Sequence, residues 1–486
     1  MIAVLLILIP LIGGLLLFAV KNQNSAKGIA LFISLGVLVV SLLGLTVMNN
    51  HANLNYNAPW ISILNCNFHI GLDGMGQLIC LLTAVCFPLI FISTWNNTYK
   101  GANRFYALML LSQAGLMGVF LAMDALLFYF FWELALIPVY FLSSIWGGEK
   151  RIAATFKFFI YTFVGSLIML VGIIYVYFQA NQSFDLQTWY SLKILPEKQT
   201  WLFWLFFIAF AIKMPIWPFH TWQPDVYEQS PTAVTMVLSG IMVKMGVFAV
   251  IRWLAPIVPD GFYLWGDTIS LLCLIGMIYA SLIAIKQDDL KRLIAYSSIA
   301  HVGLMCLAIF ASNKSGIQGV MLQMFNHGIN IIGLWIVANA IETKYGTRKL
   351  SELGGLAQKD AGLAILLVII ALANIALPLT NGFVGEFMMY NGVFSSAVTK
   401  YGVLDMSVAG ICIILSAVYT LNMIKKIFYG HSNALTQSGT PTSVPVLVCL
   451  SVIVALIFIT GVYPKPMLQL TNDSVDAILK YIKTSI

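Results

Sequence analysis

Six ionisable residues stand inside stretches that are otherwise apolar. They are Glu133 in "DALLFYFFWELALIPVYFLSSIW", Lys213 in "AFAIKMPIWPFHTWQPD", Lys244 in "TAVTMVLSGIMVKMGVFAVIRW", His301 in "KRLIAYSSIAHVGLMCLAIF", His327 in "QGVMLQMFNHGINIIGLWIV" and Glu386 in "ANIALPLTNGFVGEFMMYNGVF". A Lys or Asp at the centre of a membrane helix costs about 2.5–3.5 kcal/mol on insertion scales. A chain carrying six such groups must turn them toward protein or water. Carboxylates, amines and imidazoles have pKa values that move with burial and with neighbouring charge. The chemistry this permits is proton or small-ion transfer. A carboxylate near a Lys holds it protonated, and removing that charge releases the proton. His titrates near neutrality and can relay it.

Spacing places each group. Glu133 lies nine residues past Asp124, about 13 Å into a helix at 1.5 Å per residue, close to mid-membrane. Pro138 then kinks the helix. The competing role for Glu133 is a carboxylate hydrogen-bonded between helices. Lys213 precedes Pro215 and Pro218, which break its helix. Broken backbone at membrane depth is tolerated only beside protein or a water-lined cavity, and the competing role for this Lys is snorkelling to a membrane face. Lys244 stands eight residues before Arg252 and farther still from Pro231, too deep to snorkel either way. His301 and His327 could each be a neutral, hydrogen-bonded core residue, but as a pair they read as relays. Glu386 follows a second break made by Pro378, Asn381, Gly382 and Gly385. His220 is expected near a membrane face, and His51, His69 and His431 in loops, as solvated or structural residues.

The elements that must hold these groups follow from composition. Of 486 residues, 60% are hydrophobic and only 9% charged, and mean hydropathy is +0.90. Soluble chains carry roughly 25% charge, so a soluble globular protein is excluded. About 14 apolar stretches reach the roughly 20 residues that a bilayer demands. They are continuously apolar, which excludes the alternating strands of a β-barrel. No segment between them is large enough for a soluble domain. Two stretches, 202–222 and 362–397, are interrupted by Pro or Gly.

The seven cysteines form no CxxC pair, and most fall in apolar runs, where they read as small buried hydrophobes. There is no GxGxxG, no P-loop and no HExxH. No nucleotide site or redox centre is expected in this chain. The net charge of +7 is spread thinly over loops, so it does not point to nucleic acid. It does give an orientation. Loops on one side carry 16 Lys and Arg and loops on the other carry 8, which places the first set in the cytoplasm of a bacterium and both termini outside. No basic residue precedes the first apolar stretch, so it reads as a retained helix rather than a signal peptide.

A weak internal repeat is present. "YTFVGSLIML" at 161–170 is similar to "QMFNHGINIIGL" at 323–334, and Pro215 matches Pro378 at almost the same offset. The expected organisation is N-terminal helices over 1–105, one five-helix unit over 106–252, a second over 266–425, and a C-terminal helix and tail over 426–486. An odd helix number per unit inverts the second in the membrane. Inverted repeats with broken helices are a transporter signature.

Several stretches together resemble one family. "GLDGMGQLICLLT", "FYFFWELALIPVYFLSSIWGG", "AFAIKMPIWPFHTWQPDVYEQSPTAVTMVLSGIMVKMGVFAVIRW", "DDLKRLIAYSSIAHVGLM" and "LPLTNGFVGEFMMY" are similar to the antiporter-like subunits of respiratory complex I, NADH:quinone oxidoreductase. The resemblance runs from about residue 70 to about residue 430. It implies an all-α integral membrane protein of about 14 transmembrane helices, with two inverted five-helix repeats and a broken helix in each. Most members carry a Lys in the second broken helix, and Glu386 at that place points to the M-type subunits, chain 4 in mitochondrial naming.

The resemblance further implies proton translocation as part of a respiratory translocase. Glu133 would be the partner carboxylate of Lys213, Lys244 the central Lys, His301 and His327 relays, and Glu386 the terminal carboxylate. NADH, FMN, iron–sulfur clusters and quinone would be bound by other subunits. The implied partners are membrane-arm subunits, neighbouring antiporter-like subunits among them, and the lipids of a bacterial inner membrane. The alternatives are a subunit of a multi-subunit cation/proton antiporter, the photosynthetic relative of complex I, or a scaffold whose charges only bind neighbouring subunits.

Overall fold

The computed structural model describes residues 1–47, 54–437 and 439–483; the expectation for His51 lies outside the described residues. The helices follow the apolar runs closely: α1 Ile2–Leu17, α2 Gln23–Thr46, α3 Gly74–Ser93, α4 Ala102–Leu121, α5 Ala125–Trp146 and α6 Arg151–Gln179. The first broken segment is α7 Pro196–Lys213, a non-helical stretch, and α8 Trp222–Gln229. Then come α9 Thr232–Leu254, α10 Pro259–Lys286, α11 Leu290–Phe310 and α12 Lys314–Tyr345. The second broken segment is α13 Ala361–Asn374 and α14 Asn381–Phe394, followed by α15 Gly402–Phe428 and α16 Val444–Val462. Eleven of these are long and apolar enough to cross a membrane alone; α1 and the two broken segments bring the described crossings to fourteen.

Two elements depart from the expectation of membrane-crossing helices alone. A β-hairpin pairs β1 Asn55–Ile61 with β2 Cys66–Gly71. A C-terminal helix, α17 Lys465–Lys483, lies beyond the last crossing. Its buried residues Thr471, Val475, Ile478, Leu479 and Ile482 recur at helical spacing on one face. It packs against α3 and α12. Gly74, at the start of α3, permits that seat: a Cβ there would stand 1.8 Å from the Leu470 carbonyl oxygen.

Burial sorts the helices. The membrane windows of α9 and α12 are wholly inside, whereas only 28% of those of α2 and α15 are. Exposed apolar side chains such as Phe32, Phe156, Phe178 and Ile414 cover the outside. All seven cysteines are buried and unpaired.

Matching backbone bonds recur at two places in the chain. Asp124 caps α5, accepting from Leu126 and Leu127 N–H, and Asp289 caps α11, accepting from Arg292 N–H. Beside the first cap, Ala125 N–H donates to Phe184 and Leu186 N–H to Met123. Beside the second, Leu290 N–H donates to Arg348 and Leu350 N–H to Asp288. In both places the start of one helix, α5 or α11, is tied to the loop that follows the next helix, α6 or α12. The loops fall on two opposite faces, one holding the Asp124 cap and the hairpin, the other holding the Asp289 cap and the Arg348 loop.

Candidate functional site

Four of the six ionisable groups form one file. Lys244, on α9, donates from Nζ to the Ser239 carbonyl at 2.8 Å and meets His327 Nδ1 at 2.8 Å. Ser239 belongs to a π-helical turn, Leu238–Met242, that interrupts α9 and presents this carbonyl to the amine. On α12, the His327 ring faces that of His301 on α11, with centroids 5.6 Å apart. His301 Nδ1 lies 3.2 Å from Glu386 Oε1 on α14. All four side chains are buried.

Neighbouring amides set the direction of these bonds. Asn374 Nδ2, at the end of α13, lies 3.3 Å from His301 Nε2. An amide NH2 can only donate, so Nε2 accepts and Nδ1–H donates to Glu386. Gln323 Nε2 donates to the same carboxylate oxygen at 3.3 Å. Asn326 and Asn330 of α12 donate to the Asn381 carbonyl and side-chain oxygens at 2.7 and 3.0 Å, fixing the start of α14. In the break itself Ala376 and Leu379 hold φ of 58° and 75°, a region costly for residues with a Cβ. Beside Glu386 and His301 lies a cavity of about 20 Å³, also lined by Tyr390, Cys412, Ser416 and Tyr419. That is room for one water.

Glu133 and Lys213 form a second, separate pair. Lys213 is the last residue of α7 and only 1% exposed, so it does not snorkel. Its Nζ has no hydrogen-bond partner and sits 5.5 and 5.8 Å from the ring centroids of Trp132 and Phe158. Glu133, next to Trp132 on α5, is its charged neighbour. One Glu133 oxygen, Oε1, is buried without a partner. Among the described residues no acidic oxygen stands within 4.0 Å of Lys213, so it makes no contact ion pair with the expected partner Glu133. The Trp222 indole donates to the Ile212 carbonyl at 3.0 Å, satisfying a carbonyl at the broken end of α7.

The two groups adjoin where α9 crosses that broken end. Gly246, two residues past Lys244, lies against α7 so closely that a Cβ would stand 2.7 Å from the Phe210 carbonyl oxygen. Among the described residues no hydrogen bond joins Lys213 to Lys244.

The other histidines divide. His220 is 3% exposed and its ring meets Tyr279, so it is buried rather than solvated. His69 pairs with Asp185 at 3.0 Å and His431 is exposed. The hydrogen bond from His69 holds the Asp185 carboxyl below its usual range. Ser239, Asn374 and Gln323 went unnoticed in the sequence. The polar density of "QMFNHGIN" was the available signal for Gln323. Among the described residues no cluster of three His, Cys, Asp or Glu is placed to hold a metal ion.

Comparison with known proteins places the chain in a family. A family profile described as "NADH:quinone oxidoreductase/Mrp antiporter, TM" matches residues 122–413. NADH-quinone oxidoreductase subunit M of Rhodobacter capsulatus is 35% identical over 473 residues, covering 93% of this chain and 90% of that protein. F(420)H(2) dehydrogenase subunit M of Methanosarcina mazei is 32% identical, with 98% of each chain covered. A chain of respiratory complex I from Thermus thermophilus superposes with a TM-score of 0.90 at 27% identity, covering 99% of this chain and 100% of that one.

Proposed function

The chain belongs to the antiporter-like membrane-subunit family shared by NADH:quinone oxidoreductases and Mrp antiporters, and we propose that it works as the M-type, proton-translocating subunit of such an oxidoreductase. The observation that carries the site assignment is the file Lys244–His327–His301–Glu386, in which two contacts lie at hydrogen-bonding distance and one is ring to ring. A scaffold that only docked neighbours would have no use for a buried amine against an imidazole at 2.8 Å.

In this reading Lys213 is loaded from the cation-rich face and held by the Glu133 charge. Low dielectric at this depth strengthens that hold. When the hold weakens, the proton passes to Lys244 across the α7–α9 crossing. The Lys244 ammonium donates to His327 Nδ1. The proton then moves to His301, whose Nδ1–H already points at Glu386, and leaves by way of the small cavity beside that carboxylate. Redox chemistry belongs to other subunits, which supply NADH oxidation and quinone reduction. The relative named for F420H2 matches over 98% of each chain, consistent with an electron donor that is read elsewhere in the complex.

The units assigned to 106–252 and 266–425 draw support from the paired bonds at Asp124 and Asp289. The surrounding segments, 1–105 and 426–486, supply flanking helices. The cation-rich loops face the cytoplasm of a bacterial inner membrane and both termini face the periplasm, on the strength of the 16:8 bias. The exposed apolar flanks meet lipid and neighbouring membrane-arm subunits. The test is Lys244→Met in vesicles holding the assembled complex. NADH-driven proton uptake is expected to fall by roughly tenfold or more, the loss of at least about 1.4 kcal/mol of barrier lowering. Electron transfer from NADH to an artificial acceptor should persist. Wild-type uptake would overturn the assignment.

A further inference from the structure

Arg252 lies at the end of α9, in a second π-helical turn, Val250–Leu254, yet its side chain is only 2% exposed. It forms an ion pair with Asp73, the N-cap of α3, whose side chain is 35% exposed. The pair therefore straddles a boundary: the guanidinium is inside the protein and the carboxylate reaches the face that carries the hairpin. The guanidinium carbon stands 4.6 Å from the ring centroid of Phe248. Phe248 is fully buried, and its ring meets Phe120 of α4 edge-on at 5.3 Å.

The spacing on α9 is regular. Phe248 comes four residues after Lys244 and four before Arg252, steps of about 6 Å along a helix. Amine, aromatic ring and guanidinium thus succeed one another from the centre of the protein toward one face. Helix α3 runs beside this strip. Cys86 is within electrostatic reach of Lys244, and Cys80 is within reach of both Arg252 and Asp73. The Tyr190 hydroxyl donates to the Arg252 carbonyl at 2.8 Å and fixes the end of the strip.

We propose that Phe248, braced by Phe120 and capped by the Asp73–Arg252 ion pair, is the outward seal of the Lys244 site. The aromatic pair excludes water, and the fixed guanidinium charge repels an oncoming proton, as an Arg does in pores that exclude cations. A proton on Lys244 then has no short route to the Asp73 face and must leave through His327, His301 and Glu386. Asp73 positions the guanidinium; without its carboxylate a buried charge would stand unpaired. This rests on the reading of Lys244 as a proton carrier.

The experiment uses vesicles containing the assembled complex, with no NADH, and follows the decay of an imposed pH gradient. Phe248→Ala should speed that decay roughly tenfold, equal to about 1.4 kcal/mol of lost barrier. Asp73→Asn isolates the charge, because Asn still caps α3 by accepting from Gly76 N–H. Its gradient should decay faster than wild type, and Asp73→Glu should return it toward the wild-type rate. An unchanged decay in assembled Phe248→Ala overturns the proposal. If that variant does not assemble, an unchanged decay in Asp73→Asn overturns it. The double variant Phe248→Ala with Lys244→Met separates the two readings. A leak that returns to the wild-type rate supports both, whereas a leak that persists keeps the seal and removes Lys244 from the path.

Discussion

At Glu386 one carboxylate oxygen takes hydrogen bonds from His301 and Gln323, so the residue ties two helices together as well as ending the file. Glu386→Ala leaves those donors unpaired at a cost of about 1–3 kcal/mol, which a large membrane protein can absorb. Assembly should survive while proton uptake falls severely; uptake at the wild-type rate in assembled Glu386→Ala would remove the residue from the path. Glu133→Gln keeps volume and hydrogen bonding and removes only the charge that Lys213 feels. NADH:quinone turnover coupled to proton uptake should then collapse, while Glu149→Gln, in the exposed "GGEKR" loop, should stay close to silent. The six groups were legible because ionisable letters are rare in apolar runs and expensive there. Asn374 and Ser239 were not, because neutral polar residues are common in membrane helices and their role depends on a partner distant in sequence. That Glu133 and Lys213 stop short of contact was equally hidden, since spacing fixes depth along a helix but not distance across one.

Among the elements, the broken helices and α9 do most of the positioning. The breaks were legible from Pro and Gly. The π-helical turns of α9 were not, because no residue type marks them, although they present the Ser239 carbonyl and hold Arg252. The hairpin escaped notice although "CNFHIG" alternates apolar and polar residues, because its two strands are short beside the long apolar runs, and α17 because it is too polar to read as a crossing. Gly246 carries a prediction at this scale. Gly246→Ala would press a methyl against the Phe210 backbone, which cannot step aside as a side chain could. Overpacking of this kind costs about 1–3 kcal/mol. The midpoint of thermal unfolding of the detergent-solubilised complex should fall, and transfer between Lys213 and Lys244 should slow. Unchanged melting and pumping would mean that α7 and α9 are not in this close contact.

Across the whole molecule, α8, α11, α12 and the loop after it are joined on the cation-rich face by a web of ion pairs. Arg292 of α11 reaches Asp225 and Glu228 of α8, and Arg348 reaches Glu228, Asp289 and Glu342. The same face carries Lys349, whose side chain is exposed. A cysteine at position 349 should react with an impermeant reagent only from the cytoplasmic side; labelling from the periplasm would reverse the orientation. The loop grouping behind this was legible from charge counts, whereas the web was not, since it pairs residues from helices far apart in the chain. The most direct measurement of the central claim concerns His327, whose side chain meets both Lys244 and His301. His327→Gln can still accept from the Lys244 amine but cannot exchange a proton. The quantity to measure is proton uptake by vesicles per NADH oxidised, normalised to assembled complex. The account predicts that NADH-driven uptake is lost while NADH oxidation by an artificial acceptor continues, and an unchanged number of protons per NADH would contradict it.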